Sequence, residues 1–211
     1  MSYNLITILG PTATGKTKLA AKLAKEFDGE IISADSRQVY REMNIGTGKD
    51  LKDYIVENTK IPYHLIDIIE PAEEFDVYKF NNIFHQSFNE IKKKKRIPFL
   101  VGGTALYISS ILKAYKFTRA DFSENNFASF DKYTTEELRN ILLKLNPNPH
   151  NTTDLLDRER IIKAIVVAKV SNENSPEQAP VNSLVMGIKL PRTEIKKRIT
   201  ERLKFRLDNG M

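Results

Sequence analysis

Eight consecutive residues, Gly10-Pro11-Thr12-Ala13-Thr14-Gly15-Lys16-Thr17, carry the spacing G-x-x-x-x-G-K-[ST] in full. Glycines at the two ends of such a run let the backbone curl until successive N–H groups converge, and a helix starting there adds the positive end of its dipole. Lys16 contributes a mobile full charge and Thr17 a hydroxyl of the kind that ligates Mg²⁺. The chemistry on offer is the binding of a diphosphate or a longer polyphosphate. What is attached to the phosphates stays open, because the loop reads phosphate alone.

Two further groups have the composition of a reacting site. Asp35-Ser36-Arg37-Gln38 sets a carboxylate, a hydroxyl, a guanidinium and a carboxamide side by side, which suits recognition of a polar ring edge. An Asp or Ser in that position is also a common helix N-cap. Gly102-Gly103-Thr104 combines bare backbone, which a substrate can approach closely, with a hydroxyl that could instead cap a following helix. Arg198 and Arg202 are four apart and share a helix face if a helix forms there. His64, His85 and His150 have no metal-ligand spacing and read as structural.

The elements that must position these residues follow from periodicity. Leu5-Ile6-Thr7-Ile8-Leu9 reads as a buried strand ending at Gly10, and Leu19, Leu23 and Phe27, spaced by four, predict a helix after Gly15. Further strands are predicted at 30–33, 63–69, 98–101 and 185–188. Helices are predicted at 77–95, 105–113, 135–145, 155–169 and 192–208, with Phe80, Ile83, Phe84, Phe88 and Ile91 lining the first of these. Short strands alternating with helices imply an α/β fold: a P-loop NTPase-like parallel sheet flanked by helices. The polar stretch 116–154 reads as a small, partly helical insertion, with the core formed by 1–115 and 155–211.

Composition sets outer bounds. The chain has 211 residues, 41% of them hydrophobic, and a formal net charge of +6. From Pro180 to Met211 eight basic residues face three acidic ones, so nearly all the surplus sits in the last predicted helix and its approach. That pattern suits phosphate, nucleic acid or an ordinary solvated face. Lys92 to Arg96 complements the C-terminal dipole of the preceding helix. With no cysteine, disulfides, thiolate metal sites and cysteine nucleophiles are excluded. No apolar run approaches membrane-span length and the first residues lack a signal-peptide pattern, so a cytoplasmic protein is expected; a monomer is the separate expectation for its assembly.

Taken together, GPTATGKT at 10–17, SADSRQVYREMNIGTGKD at 33–50, IPYHLIDI at 61–68 and RIPFLVGGTALYI at 96–108 resemble the tRNA dimethylallyltransferases, also called tRNA isopentenyltransferases, in order and spacing. The resemblance implies transfer of a dimethylallyl group from dimethylallyl diphosphate to the exocyclic amine of the adenosine next to the anticodon of tRNA. It further implies Asp35 as general base, Thr104 near the reacting centre, and Arg202 with the P-loop and Mg²⁺ on the diphosphate. Ser36, Arg37 and Gln38 would hold the flipped base, and Arg160 and Lys163 would lie in the tRNA-contact segment. Members of the family continue into further helices, so the chain is expected to be short at its C-terminal end. Three other readings use the same motifs: a small-metabolite kinase with Arg158 and Arg160 as lid arginines, an isopentenyltransferase acting on free adenine nucleotide, and a noncatalytic remnant.

Overall fold

The computed structural model describes residues 2–115, 117, 122, 127–147, 155–170 and 179–209. Two compact units emerge: Met1–Tyr115 together with Gln178–Met211, and Lys116–Glu177.

The first unit is built on a parallel sheet. Its strands are β1 (Leu5–Leu9), β2 (Gly29–Ala34), β5 (Tyr63–His64), β6 (Ile97–Gly102) and β7 (Ser183–Gly187), in the spatial order β5-β2-β6-β1-β7. A small antiparallel pair, β3 (Ile55–Val56) and β4 (Thr59–Lys60), lies apart from it. All six residues of β2 are buried, as expected of a strand covered on both faces. One face packs on α2 (Val77–Lys93) and α3 (Ala105–Leu112) through Phe80, Phe84, Phe88, Tyr107 and Ile111. The other packs on α1 (Lys16–Glu26), where the buried residues are Ala20, Ala21 and Ala24. Leu19 and Phe27 of the expected stripe are exposed instead. Small side chains form the fully buried face of the helix that continues from the P-loop, with Leu23 packed partly buried beside them.

The register matters most for function. Leu9 pairs with Gly102 and with Gly187, and Gly102 pairs with Ala34, so four strands end level. The segments after Leu9, Ala34, Gly102 and Gly187 therefore leave the sheet side by side, at the C-terminal edge where open α/β sheets present ligand-binding loops. Gly102 is required there: a Cβ would stand 2.2 Å from the Ala34 carbonyl oxygen.

The strand expected over 63–69 stops at His64. Leu65 and Asp67 have φ of +63° and +56°, which breaks the extended conformation, and the chain resumes pairing only at the Tyr40–Ile69 bridge. Glu30, fully buried in β2, is held by His64, Lys94 and Arg96, so His64 and the end of the lysine run have structural work. The last helix of this unit is α6 (Arg192–Asp208), numbered after the two helices of the second unit.

The second unit contains α4 (Thr135–Leu145), opened by a Thr134–Glu137 capping box, and α5 (Arg158–Val170). Leu138, Leu142, Ile161 and Ile165 form its core with Phe130. The segment expected to return to the sheet core at 155 thus belongs to this unit through α5, because the apolar face of α5 is buried against α4. Leu156, expected on that face, precedes the helix and is exposed.

Candidate functional site

At the level sheet edge a cleft of about 1060 Å³ opens, lined by the P-loop, by 35–38, by 46–54, by 101–104 and by α6. Its floor is the P-loop. Gly10 has φ +156° and a Cβ there would meet the Ile188 carbonyl oxygen at 2.6 Å, so the tight exit from β1 requires glycine. Ala13 and Gly15 are left-handed, and Gly15 is the N-cap of α1 with no side chain capping the helix. The first N–H groups of α1 are left for an anion.

Thr14 donates to the Pro11 carbonyl at 2.8 Å and Lys16 Nζ to the same oxygen at 2.6 Å. Burial pushes the Lys16 ammonium below the usual lysine range; Asp35 acts against this and Arg202 adds to it. Lys16 therefore feels both the Asp35 carboxylate and the Arg202 guanidinium across the cleft.

Asp35 and Ser36 do not cap a helix. Asp35 Oδ1 accepts from the Arg37 N–H at 2.9 Å, closing a short turn that keeps the carboxylate at the strand end. Thr104 occupies the N-cap of α3 without capping it. Its hydroxyl instead accepts from the Ser36 N–H at 3.1 Å and lies 3.4 Å from Ser36 Oγ, tying the loop after β6 to the loop after β2.

The far wall is the segment 46–54, whose first part belongs to the run at 33–50 but to which the sequence assigns no role in the site. Gly46 and Gly48 both have positive φ, the one local signal that a built turn lies there. Gln38 Nε2 donates to the Gly48 carbonyl at 3.1 Å. Lys49 is buried and bonded to the Tyr40 carbonyl, to Asn44 Oδ1 and to Asp67. Burial pushes Asp53 up; Lys18 opposes this, the neighbouring Asp50 adds to it, and Arg202 opposes it in turn. Tyr54, buried and near Asp35 and Asp53, is a phenol held un-ionised.

Arg202 Nη2 reaches Thr12 Oγ1 at 3.4 Å, Arg206 Nη2 binds Asp50 Oδ1 at 2.7 Å, and Arg198 pairs with Glu194 on its own helix. Arg160 and Lys163 lie on α5 in the second unit, the latter paired with Glu159, and neither lines this cleft. Arg158 donates to the Tyr133 and Phe130 carbonyls, which makes it an internal tie of that unit and not a free lid arginine.

Among the described residues no cluster of three His, Asp or Glu side chains could hold a metal. Thr17 lines the cleft at the start of α1, so the donors present fit an Mg²⁺ carried mainly by diphosphate oxygens and water.

A parallel sheet whose first strand runs through this loop into a helix defines a P-loop NTPase-like α/β protein. A family model described as IPP transferase matches residues 38–211. The tRNA dimethylallyltransferase 1 of Geotalea daltonii is 46% identical over 215 residues, spanning 100% of this chain and 68% of the relative. That of Syntrophus aciditrophicus is also 46% identical, with 100% and 70% covered. The chain belongs to the IPP transferase family. The full-length tRNA isopentenylpyrophosphate transferase of Bacillus halodurans superposes with a TM-score of 0.64 at 34% identity, covering 99% of this chain and 67% of that one. A eukaryotic dimethylallyltransferase acting on tRNA shares the fold with a TM-score of 0.74 at 23% identity, covering 99% and 54%. The family match begins after the P-loop, whereas the alignments over the whole chain include it.

Proposed function

We propose that this chain transfers a dimethylallyl group from dimethylallyl diphosphate to the exocyclic N6 amine of the adenosine adjacent to the anticodon in tRNA, acting as a cytoplasmic monomer. The observation that best supports this is the convergence of an anion loop, a carboxylate and a hydroxyl at one sheet edge in a member of this family. No helix among the described residues is long and apolar enough to cross a membrane.

In this reading the N6 lone pair forms the new C–N bond to C1 of the allylic group as the C1–O bond breaks. The bonding electrons leave with the diphosphate, and the N6 proton goes to Asp35. Lys16, Arg202 and the uncapped N–H groups of α1 receive the growing negative charge; one such preorganised donor is typically worth ~3 kcal/mol. Mg²⁺, when bound beside Thr17, supplies further charge neutralisation of the leaving group. Thr104 steadies Ser36, and Ser36, Arg37 and Gln38 read the extruded base, which must leave its stack to react. Arg160 and Lys163 supply phosphate contacts from the second unit.

The test is transfer of labelled dimethylallyl groups to unmodified tRNA and to AMP in parallel. Transfer to tRNA and a fall of about 10²- to 10⁴-fold in Asp35→Ala support the assignment. Transfer to AMP alone would overturn the acceptor, and undiminished transfer by Asp35→Ala would overturn the base.

A further inference from the structure

Helix α6 stands over the P-loop, yet none of its 17 residues is buried. Leu203, Phe205 and Leu207 are exposed, so apolar packing does not fix its C-terminal half. Two arginines one turn apart connect that half to the cleft: Arg202 reaches Thr12 at 3.4 Å, and Arg206 reaches Asp50 at 2.7 Å. The second contact is the stronger by length and charge. Arg206 is also the more enclosed partner, its side chain 19% exposed against 44% for Asp50.

Asp50 is a firm anchor. Its N–H donates to the Gly48 carbonyl, and its own carbonyl receives the Asp53 N–H at the start of a 3-10 turn over Leu51–Tyr54. Its neighbour Lys49 is buried among three oxygen acceptors. Asp50 also presents a carboxylate to a cleft built for an anion. Arg206 pairs with that carboxylate and so pins the helix that carries Arg202.

We propose that Arg206 and Asp50 are positioning residues for the anion site, their ion pair holding α6 so that the Arg202 guanidinium stands over the P-loop. This rests on the reading of the cleft as a diphosphate site served by Arg202. The pair acts through Arg202, so its effect must depend on Arg202 being present.

The test is a double-mutant cycle read by calorimetric binding of inorganic pyrophosphate with Mg²⁺, which needs no turnover. Arg206→Met is expected to weaken binding about tenfold when Arg202 is present and less than about twofold in Arg202→Gln, the non-additivity of residues acting as a unit. The swapped pair Asp50→Arg with Arg206→Asp is expected to recover most of the loss. Equal losses from Arg206→Met in both backgrounds, or no recovery in the swapped pair with the unfolding temperature unchanged, would overturn the positioning role. Arg202→Gln binding pyrophosphate as tightly as the parent would instead overturn the reading of Arg202 on which it rests.

Discussion

Replacing Gly10 and Gly15 in turn by alanine separates two physical reasons for glycine within one loop. At Gly15, φ is +82° and a Cβ would meet nothing within 4 Å, so alanine there adds only the cost of a left-handed L-residue, about 1 kcal/mol. At Gly10, φ is +156° and a Cβ would lie 2.6 Å from the Ile188 carbonyl oxygen. A comfortable carbon–oxygen contact is about 3.3 Å, so the Ile188 backbone would have to retreat by roughly 0.7 Å. Retreat stretches the Ile188 N–H bond to the Leu9 carbonyl, now 2.8 Å. Backbone strain of about 1.5–2 kcal/mol and a similar overpacking cost give a total of about 3–4 kcal/mol. For a chain of this size each kcal/mol lowers the unfolding temperature by about 2–4 °C, so Gly10→Ala is expected to lose about 6–16 °C and Gly15→Ala about 2–4 °C. Calorimetric unfolding of the two variants provides the comparison. A Gly15→Ala protein destabilised as much as Gly10→Ala would refute the assignment of the larger cost to the Ile188 contact. Ile188 leads through Pro191 into α6, so Gly10→Ala is also expected to weaken pyrophosphate binding by shifting Arg202.

Lys16 yields a pH dependence. Burial lowers its pKa in the free protein, and a bound diphosphate raises it again, so affinity is full below the free-protein value and falls as pH rises through it. Pyrophosphate titrations from about pH 7 to about pH 10 should show this limb in the parent and lose it in Lys16→Met, beyond the common change from pyrophosphate itself. Glu30 acts at the acid end: burial works to raise its pKa, but hydrogen bonds from His64, Lys94 and Arg96 lower it on balance from 4.5. The stability it contributes is present above that ordinary value and lost as pH falls through the lowered one, so Glu30→Gln should cost about 2–3 kcal/mol at neutral pH and flatten the acid limb of the unfolding curve. An equally steep limb in the variant would count against it. Lys49→Met strands Asp67 and two other acceptors and should cost about 2–3 kcal/mol, with faster hydrogen exchange through 40–50; unchanged exchange there would refute the view that Lys49 holds this wall together.

Much of the frame was legible because it is written in local patterns. The P-loop spacing, the run before it and the change of period after it locate β1 and α1 without any tertiary knowledge. The misreadings share one cause: a pattern of apolar residues says that a face is buried and not against what. The spacing of Leu19, Leu23 and Phe27 predicts a helix correctly, yet alanines form the face of α1 that is buried. Alternation through 63–69 looks like strand, but two left-handed residues let Asp67 turn its carboxylate to Lys49. The period of α5 predicts a buried face, and its partner proves to be α4.

The site divides in the same way. Residues that follow a strand end were readable, since the level register of β1, β2 and β6 brings the P-loop, Asp35 and Thr104 together as soon as the sheet forms. Thr104 was readable in position and ambiguous in role; only the contact with the Ser36 N–H, rather than with its own helix, distinguishes a bridge from a cap. Asp50 and Arg206 left no local trace, because their partnership spans 156 positions. The basic surplus of the last helix looked like a single patch. In the fold Arg198 is matched by Glu194, Lys197 lies within reach of Glu201, and Arg206 by Asp50, while Arg202 turns to the P-loop. The charge count overstated the free cation on that face and gave no hint of its order. On the proposed reading, what would fit the helix to an anion is the spacing of Arg202 and Arg206, one turn apart, with a distant aspartate holding the second while the first reaches the P-loop.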